Sequence, residues 1–498
     1  MKELRELRKE LDVAIKPGHS QVVDRLFDLL EKQIKRCERL EKENRRLVQR
    51  IAELEKQDSS APPSAPSESY SLDAEEKRRR RKQRQRQTSA KKRKSGRKPN
   101  KDKLDCVARW VEILPEGAAK EDCQLQSQRP VWHIENGQAV RVGYRIYRLP
   151  WQETPRIPGV LPRCEYGIEI HVLLAYLVYV IGISIDKACQ LLRFFCQLPL
   201  EPSQADAMLT QLGRQWGEEF DVICDRIALA AVVYADETSW RVGRLNTSLW
   251  SFTSDSLCVM LFGCSKDRQT LESILPPETF AGVLVSDDAA VYGQGYRGQK
   301  CWAHLIRKAV KLVILHPEHP TYSRFLGDLL ALYRDAKRAS KDARLSDKSR
   351  NARVSKLEAR LCDICHPHWP NITPGLPEPR TASETEFRNL VNELMRLMVA
   401  EQLFVFVLDP KVEATNNLSE RQLRGSALAR KANRTNKTDT GSIRQTHIVS
   451  ILESLRRSLG SFTINAVVDR VASAMHRSIS MFQPTGPPVP RNAAKSNR

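Results

Sequence analysis

From Ala228 the chain runs through four short apolar segments: ALAAVVY ahead of Asp236-Glu237, SLWSFTS ahead of Asp255, LCVMLFG, and AGVLVS ahead of Asp287-Asp288. Runs of this length and composition, bounded by turn residues, are buried strands. The first three lie close enough for hairpin connections and predict a β-meander. SKDRQTLESIL then reads as a helix leading to a further buried strand. Asp236 and Asp287 each fall just past the C-terminal end of such a strand, which is where open α/β sheets keep their sites. A single acid there is more often a turn residue. The pair gains meaning from a third acid, Glu420 in TNNLSER, at the start of a helix expected through Leu423 to Arg430. Asn417 with Glu420 three residues on also reads as a capping box. That reading leaves the double Asn and the following Arg421 and Arg424 unexplained.

Clustered carboxylates repel one another and ionise side by side only where a cation holds them. Hard oxygen ligands with room for a phosphate suit Mg²⁺ or Mn²⁺. Two such ions about 3.5–4 Å apart activate a water or a 3′-hydroxyl and stabilise the departing oxygen of a phosphodiester. The charge balance fits that substrate: 81 Lys+Arg against 60 Asp+Glu give a net charge of +21. Such a chain seeks a polyanion. A membrane is the poorer partner, because the longest uncharged apolar run, Val172 to Ile185, falls short of the about 20 residues that span a bilayer. It is read as a buried helix. The charged N-terminus carries no secretory signal, so a cytoplasmic, nucleoid-associated location with twelve reduced cysteines is expected.

Residues 1–56 carry a heptad seam. Val23, Leu30, Cys37, Asn44 and Ile51 share one position, and Leu26, Gln33, Leu40, Leu47 and Leu54 lie three residues later. A buried Asn44 at an a position favours a two-stranded coil, so a homo-oligomer, most simply a dimer, is expected. Residues 57–100 hold a Ser/Pro-rich linker and a basic arm. The arm, Lys77 to Lys98, has fourteen Lys/Arg and no acid, among them Arg78, Arg79, Arg80, Arg81, Lys92 and Arg93. It binds phosphates by counterion release, without sequence choice. In a bZIP protein the basic helix leads into the zipper, whereas here it follows the coil across a proline-rich break.

Residues 101–165 form a small mixed segment with a strand over Ala139 to Arg148, and residues 166–228 are helical. GISID from Gly182 and PSQAD from Pro202 look like two successive helix starts. They fit a helix-turn-helix or an ordinary helical hairpin equally. Cys106, Cys123 and Cys164 are isolated, with no CxxC pair suited to zinc. Cys362-Asp-Ile-Cys365-His366 has the spacing of a haem attachment site, yet the expectation is two buried helix-end thiols before a His-Pro-His-Trp loop. Cys301 and His304, spaced C-x-x-H, lack further metal partners in the sequence. Trp302 is read as core, and His304 with Arg307 as neighbours of a scissile phosphate. Arg421 and Arg424 follow Glu420 at i+1 and i+4 and are placed to pair phosphate oxygens. Trp240 is read as core packing.

Four of these stretches, ADETSWRV around Asp236, LVSDDAAVY around Asp287, CWAHLIRK from Cys301 and TNNLSERQLR around Glu420, occur in an order that resembles the transposases of the insertion-sequence-66 family. The resemblance covers roughly residues 160 to 460. It implies an α/β multidomain protein with a ribonuclease-H-like mixed sheet, preceded by the coiled coil and a helical DNA-binding region at 166–228. The catalytic core would occupy 229–312 and 401–460, interrupted by a helical insertion at 313–400 and followed at 461–498 by a C-terminal helix and disordered tail. Carried over position by position, Asp236, Asp287 and Glu420 would be the metal-binding Asp-Asp-Glu triad. Asp287 is preferred to Asp288 because it directly ends the VLVS strand. The implied activity is metal-dependent cleavage and strand transfer at the element's terminal repeats, with target DNA and accessory proteins of the same element as further partners. The alternatives are a DNA-binding regulator or architectural protein without catalysis, and a nuclease on the same fold that hydrolyses but does not join.

Overall fold

The computed structural model describes residues 103–482 apart from 152, 294, 371–375, 377 and 478. The coil, the linker, the basic arm with Arg78 to Arg81, Lys92 and Arg93, and the tail beyond Phe482 lie outside the described residues.

Strands β1 (Arg109–Ile113), β2 (Gln124–Glu135) and β3 (Gln138–Arg148) form a three-stranded sheet in the order β1-β3-β2. β2 and β3 pair antiparallel across the tight Asn136-Gly137 turn, where both residues take positive φ. Four helices follow: α1 (Ile168–Ala175), α2 (Ile185–Cys196), α3 (Pro202–Gln215) and α4 (Gly217–Ile227). The apolar run expected to be a single helix is broken. α1 continues as a π-helical turn over Tyr176–Val180, and the chain then turns at Gly182 with φ of 78°, a conformation that glycine adopts without strain. Ser184 restarts the chain as the N-cap of α2, its hydroxyl accepting from the Lys187 N–H at 3.2 Å. α3 begins with a capping box between Glu201 and Gln204 and Pro202 in its first turn.

The second sheet contains β4 (Val232–Val242), β5 (Leu245–Thr253), β6 (Cys258–Cys264), then helix α5 (Arg268–Ile274), β7 (Val283–Ser286) and β8 (Arg297–Lys300). Its order is β6-β5-β4-β7-β8. The β4-β5-β6 meander is antiparallel, and β7 and β8 add in parallel on the other side of β4. Helices α6 (Trp302–Leu315), α7 (Pro320–Lys341), α8 (Asp347–Cys365) and α9 (Ala382–Val399) come next. They are followed by the short α10 (Val405–Leu408), α11 (Asn417–Lys431), α12 (Asp439–Ser458) and α13 (Ile464–Arg477). The stretch expected to be a helical insertion thus contains the end of α6 and all of α7, α8 and α9.

The two-residue period of the strands sorts their side chains into two cores. Val233, Ala235 and Leu284 pack with residues of α1 to α5, α12 and α13. Val232, Tyr234, Val283 and Val285 pack with residues of α6 to α10. The sheet is therefore covered by helices on both faces, which is why its strands read as continuous apolar runs. Among the described residues no helix is long and apolar enough to cross a membrane.

Candidate active site

The parallel pairing of β4 with β7 sets Val232 against Val283, Val233 against Leu284 and Tyr234 against Val285. Asp236 is two residues beyond Tyr234, and Asp287 is two residues beyond Val285. Equal offsets on adjacent strands, about 4.8 Å apart, bring both carboxylates to one face of the sheet. Asp287 directly follows β7 as the sequence suggested. Asp236 does not follow its strand: it lies inside β4, opposite Ser251 of β5. The sequence reading missed this because β4 outlasts its pairing with β7 and continues as a hairpin with β5.

Glu420 arrives from the first turn of α11. The expected capping box is not formed. The N-cap is Asn416, one residue earlier, and its main-chain oxygen accepts the Glu420 N–H at 3.1 Å. Fully buried Asn416 uses its Nδ2 to donate to the Ala235 carbonyl at 2.7 Å, and its N–H donates to Cys301 Sγ at 3.2 Å. Ser419 Oγ donates to the Ser251 carbonyl at 3.2 Å. These bonds fasten the start of α11 to β4 and β5 beside Asp236 and free the Glu420 side chain from a capping role. They also account for the double Asn, whose first member is structural and whose second is exposed.

The electrostatics follow from this convergence. Burial, joined by the charges of Glu237, Asp287 and Glu420, raises the Asp236 carboxyl to about 7. Glu420 Oε1 is buried without a hydrogen-bond partner. Glu237, on the opposite face of β4, is held by the Tyr292 hydroxyl and by Lys266. Asp287 Oδ1 accepts from the Ala289 N–H at 3.0 Å, and its main-chain oxygen accepts from buried Lys300 Nζ at 2.9 Å. Burial lowers the pKa of Lys300. Asp288 turns away to pair with Arg396 of α9. Carboxylate oxygens are hard donors of the kind a divalent cation takes, and the charges of Asp287 and Glu420 reach Asp236.

His304, in the first turn of α6, has its Nε2 3.8 Å from Glu420 Oε1. Arg307 lies one turn further and is exposed, as are Arg421 and Arg424 on α11. Trp302 is buried and donates to the Leu403 carbonyl at 2.7 Å. Trp240 is buried and donates to Asn436 Oδ1 at 2.7 Å. Cys365 is buried at the end of α8, and half-buried Cys362 has its sulfur 3.7 Å from Met398 Sδ. The expectation that Cys301 and His304 lack a metal partner is overturned, since the fold supplies Glu420 as a third potential ligand. Asn416, Glu237, Lys266 and Lys300 were not identified from the sequence. Only the repeated Asn was a visible signal.

Helices on both faces of a mixed sheet, with acids on two adjacent strands and a late helix whose charges together raise the Asp236 carboxyl, define an α/β protein with an acidic region. The sequence model of the Transposase IS66 family matches residues 163–443, and the chain belongs to that family. The matched segment runs from just before α1 into the start of α12 and contains all three acids. No curated protein matches the chain.

Proposed function

We propose that this protein is a DNA transposase that cuts and joins strands at its element's terminal repeats through an Asp236-Asp287-Glu420 triad. The observation that carries this reading is the equal offset of Asp236 and Asp287 from a parallel strand pair, with the helix that carries Glu420 tied to β4 by Asn416 and its charge felt at Asp236. The sheet order, an antiparallel meander extended by two parallel strands, supports a ribonuclease-H-like core. Asp236, Asp287 and Glu420 would hold Mg²⁺ or Mn²⁺. Two such ions, when bound, supply an activated hydroxyl and neutralise charge on the departing oxygen.

The chain's own residues do the positioning. Asn416 fixes the helix that carries Glu420, and Lys300 holds the main chain of Asp287. His304 lies beside Glu420, and the exposed Arg307, Arg421 and Arg424 on the same two helices would meet phosphate oxygens. Water attacks first and frees a 3′-hydroxyl, which then attacks target DNA without a covalent protein intermediate. The α2-α3 pair and the basic arm hold the ends, and the N-terminal coil pairs two copies.

The test is incubation of purified protein with a labelled fragment carrying the DNA ends that flank its gene, plus a plasmid target, with Mg²⁺ or EDTA. Nicking and joining that require Mg²⁺ and vanish in Asp236→Asn are expected. Binding without cutting would favour the regulator, and cutting without joining the nuclease.

A further inference from the structure

One group of side chains beside the acidic centre has a different chemistry. Cys301 is the N-cap of α6, His304 lies in its first turn, and Glu420 faces both from α11. One ligand atom from each lies within 4.8 Å of the others. Two of these residues have unmet polar atoms: His304 Nδ1 and Glu420 Oε1 are both buried without a hydrogen-bond partner. The Cys301 sulfur is buried and accepts from the Asn416 N–H at 3.2 Å, while the Cys301 main-chain oxygen accepts from the His304 N–H at 3.1 Å. Burial raises the pKa of the Cys301 thiol against the pull of its main-chain donor, so the thiolate that binds metal forms as the ion displaces the proton. Tetrahedral zinc with ligands at about 2.0–2.3 Å needs its ligand atoms roughly 3–4 Å apart, so a small side-chain adjustment closes the set.

We propose that Cys301, His304 and Glu420 form a soft-ion site that takes Zn²⁺ and, in doing so, withdraws Glu420 from the Mg²⁺ triad. The sulfur and imidazole select against Mg²⁺, which prefers oxygen ligands and sheds water reluctantly. Three protein ligands leave the fourth zinc position to solvent. On binding, the Cys301 thiol loses its proton to solvent, and no bond is otherwise made or broken. The site itself stands on its own geometry, while its inhibitory consequence rests on the triad proposed above.

The experiment uses the full-length, metal-free protein titrated with Co²⁺ as a spectroscopic stand-in for Zn²⁺. A thiolate-to-cobalt charge-transfer band is expected in the unaltered protein and in Asp236→Asn. It is expected to vanish in Cys301→Ser and to need at least about tenfold more Co²⁺ in His304→Gln and in Glu420→Gln. Zn²⁺ added with Co²⁺ should abolish the band, and excess Mg²⁺ should leave it. Circular dichroism checks the fold of each variant. Should Cys301→Ser not fold, the His304→Gln titration decides. Absence of the band in the unaltered protein, its persistence in Cys301→Ser, or unchanged affinity in Glu420→Gln would each overturn the proposal. Failure of the triad is read separately, as Mg²⁺-dependent cutting that survives Asp236→Asn.

Discussion

Along the β6 edge of the second sheet, main-chain N–H groups are paired in series by side-chain hydroxyls, whereas at the β4–β7 junction buried side-chain oxygens of the acidic group are left unpaired. On the β6 side, Ser454, Ser450 and Thr446 of α12 accept the N–H groups of Cys258, Met260 and Phe262 at 2.9, 2.9 and 3.0 Å. Ser454 and Ser450 also donate back to the Cys258 and Met260 carbonyls. The match is geometric: four helical residues rise about 6 Å, close to the about 6.8 Å of two strand residues. The hydroxyls thereby close an edge that would otherwise expose free donors. At the other place, Asp236 is raised to about 7 by burial and neighbouring acids, and Glu420 Oε1 and Asn416 Oδ1 have no partner. Satisfied polar groups of the first kind hold a fold together. Unsatisfied ones that coincide with a perturbed carboxyl, as here, are the candidates for holding something else.

The largest effects that separate the two places concern cutting. Asp236→Asn, Asp287→Asn and Glu420→Gln should each lower strand cleavage by about 10²–10³-fold or more, the scale of losing one group that stabilises the transition state. Gel analysis of cleaved end fragments reads this, and any of the three that still cuts leaves the triad. Asn416→Ala should act on both counts. It leaves the Ala235 carbonyl without its donor, lowering stability by about 1–3 kcal/mol, and it loosens Glu420 enough to slow cutting about 10–100-fold. Denaturant melts and cleavage rates together test this, and unchanged cutting would detach Asn416 from the site.

Ser450→Ala sharpens the contrast from the other side. It strands the Met260 N–H and should lower stability by about 1–3 kcal/mol in a urea melt, with cutting per folded molecule unaltered. A smaller effect, of opposite sign, is expected for Asp236→Asn without metal. A carboxyl raised from 3.8 to about 7 means the folded protein holds more protons than the unfolded chain across that window. Its stability therefore falls as pH rises through the window. In EDTA at pH 8 the amide variant should be more stable by on the order of 1–2 kcal/mol, and near pH 4 the difference should close. An unaltered protein more stable than the variant at pH 8 in EDTA would mean that the acids do not strain one another.

The sequence patterns made the strands from Ala228 legible because burial on both faces produces unbroken apolar runs. The helical composition between Asp287 and Glu420 was equally plain. What could not be read was register. Nothing local says that Tyr234 pairs with Val285, and that pairing is what puts Asp236 and Asp287 at equal offsets. The same limit hid the continuation of β4 past Asp236. Asn417 was favoured as the cap because it fits the capping-box spacing, while the fold uses Asn416 to reach a carbonyl 181 residues away. The helix starts at GISID and PSQAD were legible and match α2 and α3, whereas the single helix expected over Val172 to Ile185 failed because a π-helical turn and a glycine at positive φ leave the apolar run uninterrupted. Cys301 and His304 gained their third neighbour only through tertiary contact.

The most direct measurement is Mn²⁺ binding followed by electron paramagnetic resonance, with a fragment carrying the DNA ends present. It is made on the unaltered protein, Asp236→Asn, Asp287→Asn and Ser450→Ala. Bound Mn²⁺ in the unaltered protein and in Ser450→Ala, weakened at least about tenfold in both aspartate variants, is the result expected of a metal centre on this junction. Equal Mn²⁺ binding in all four proteins would contradict it.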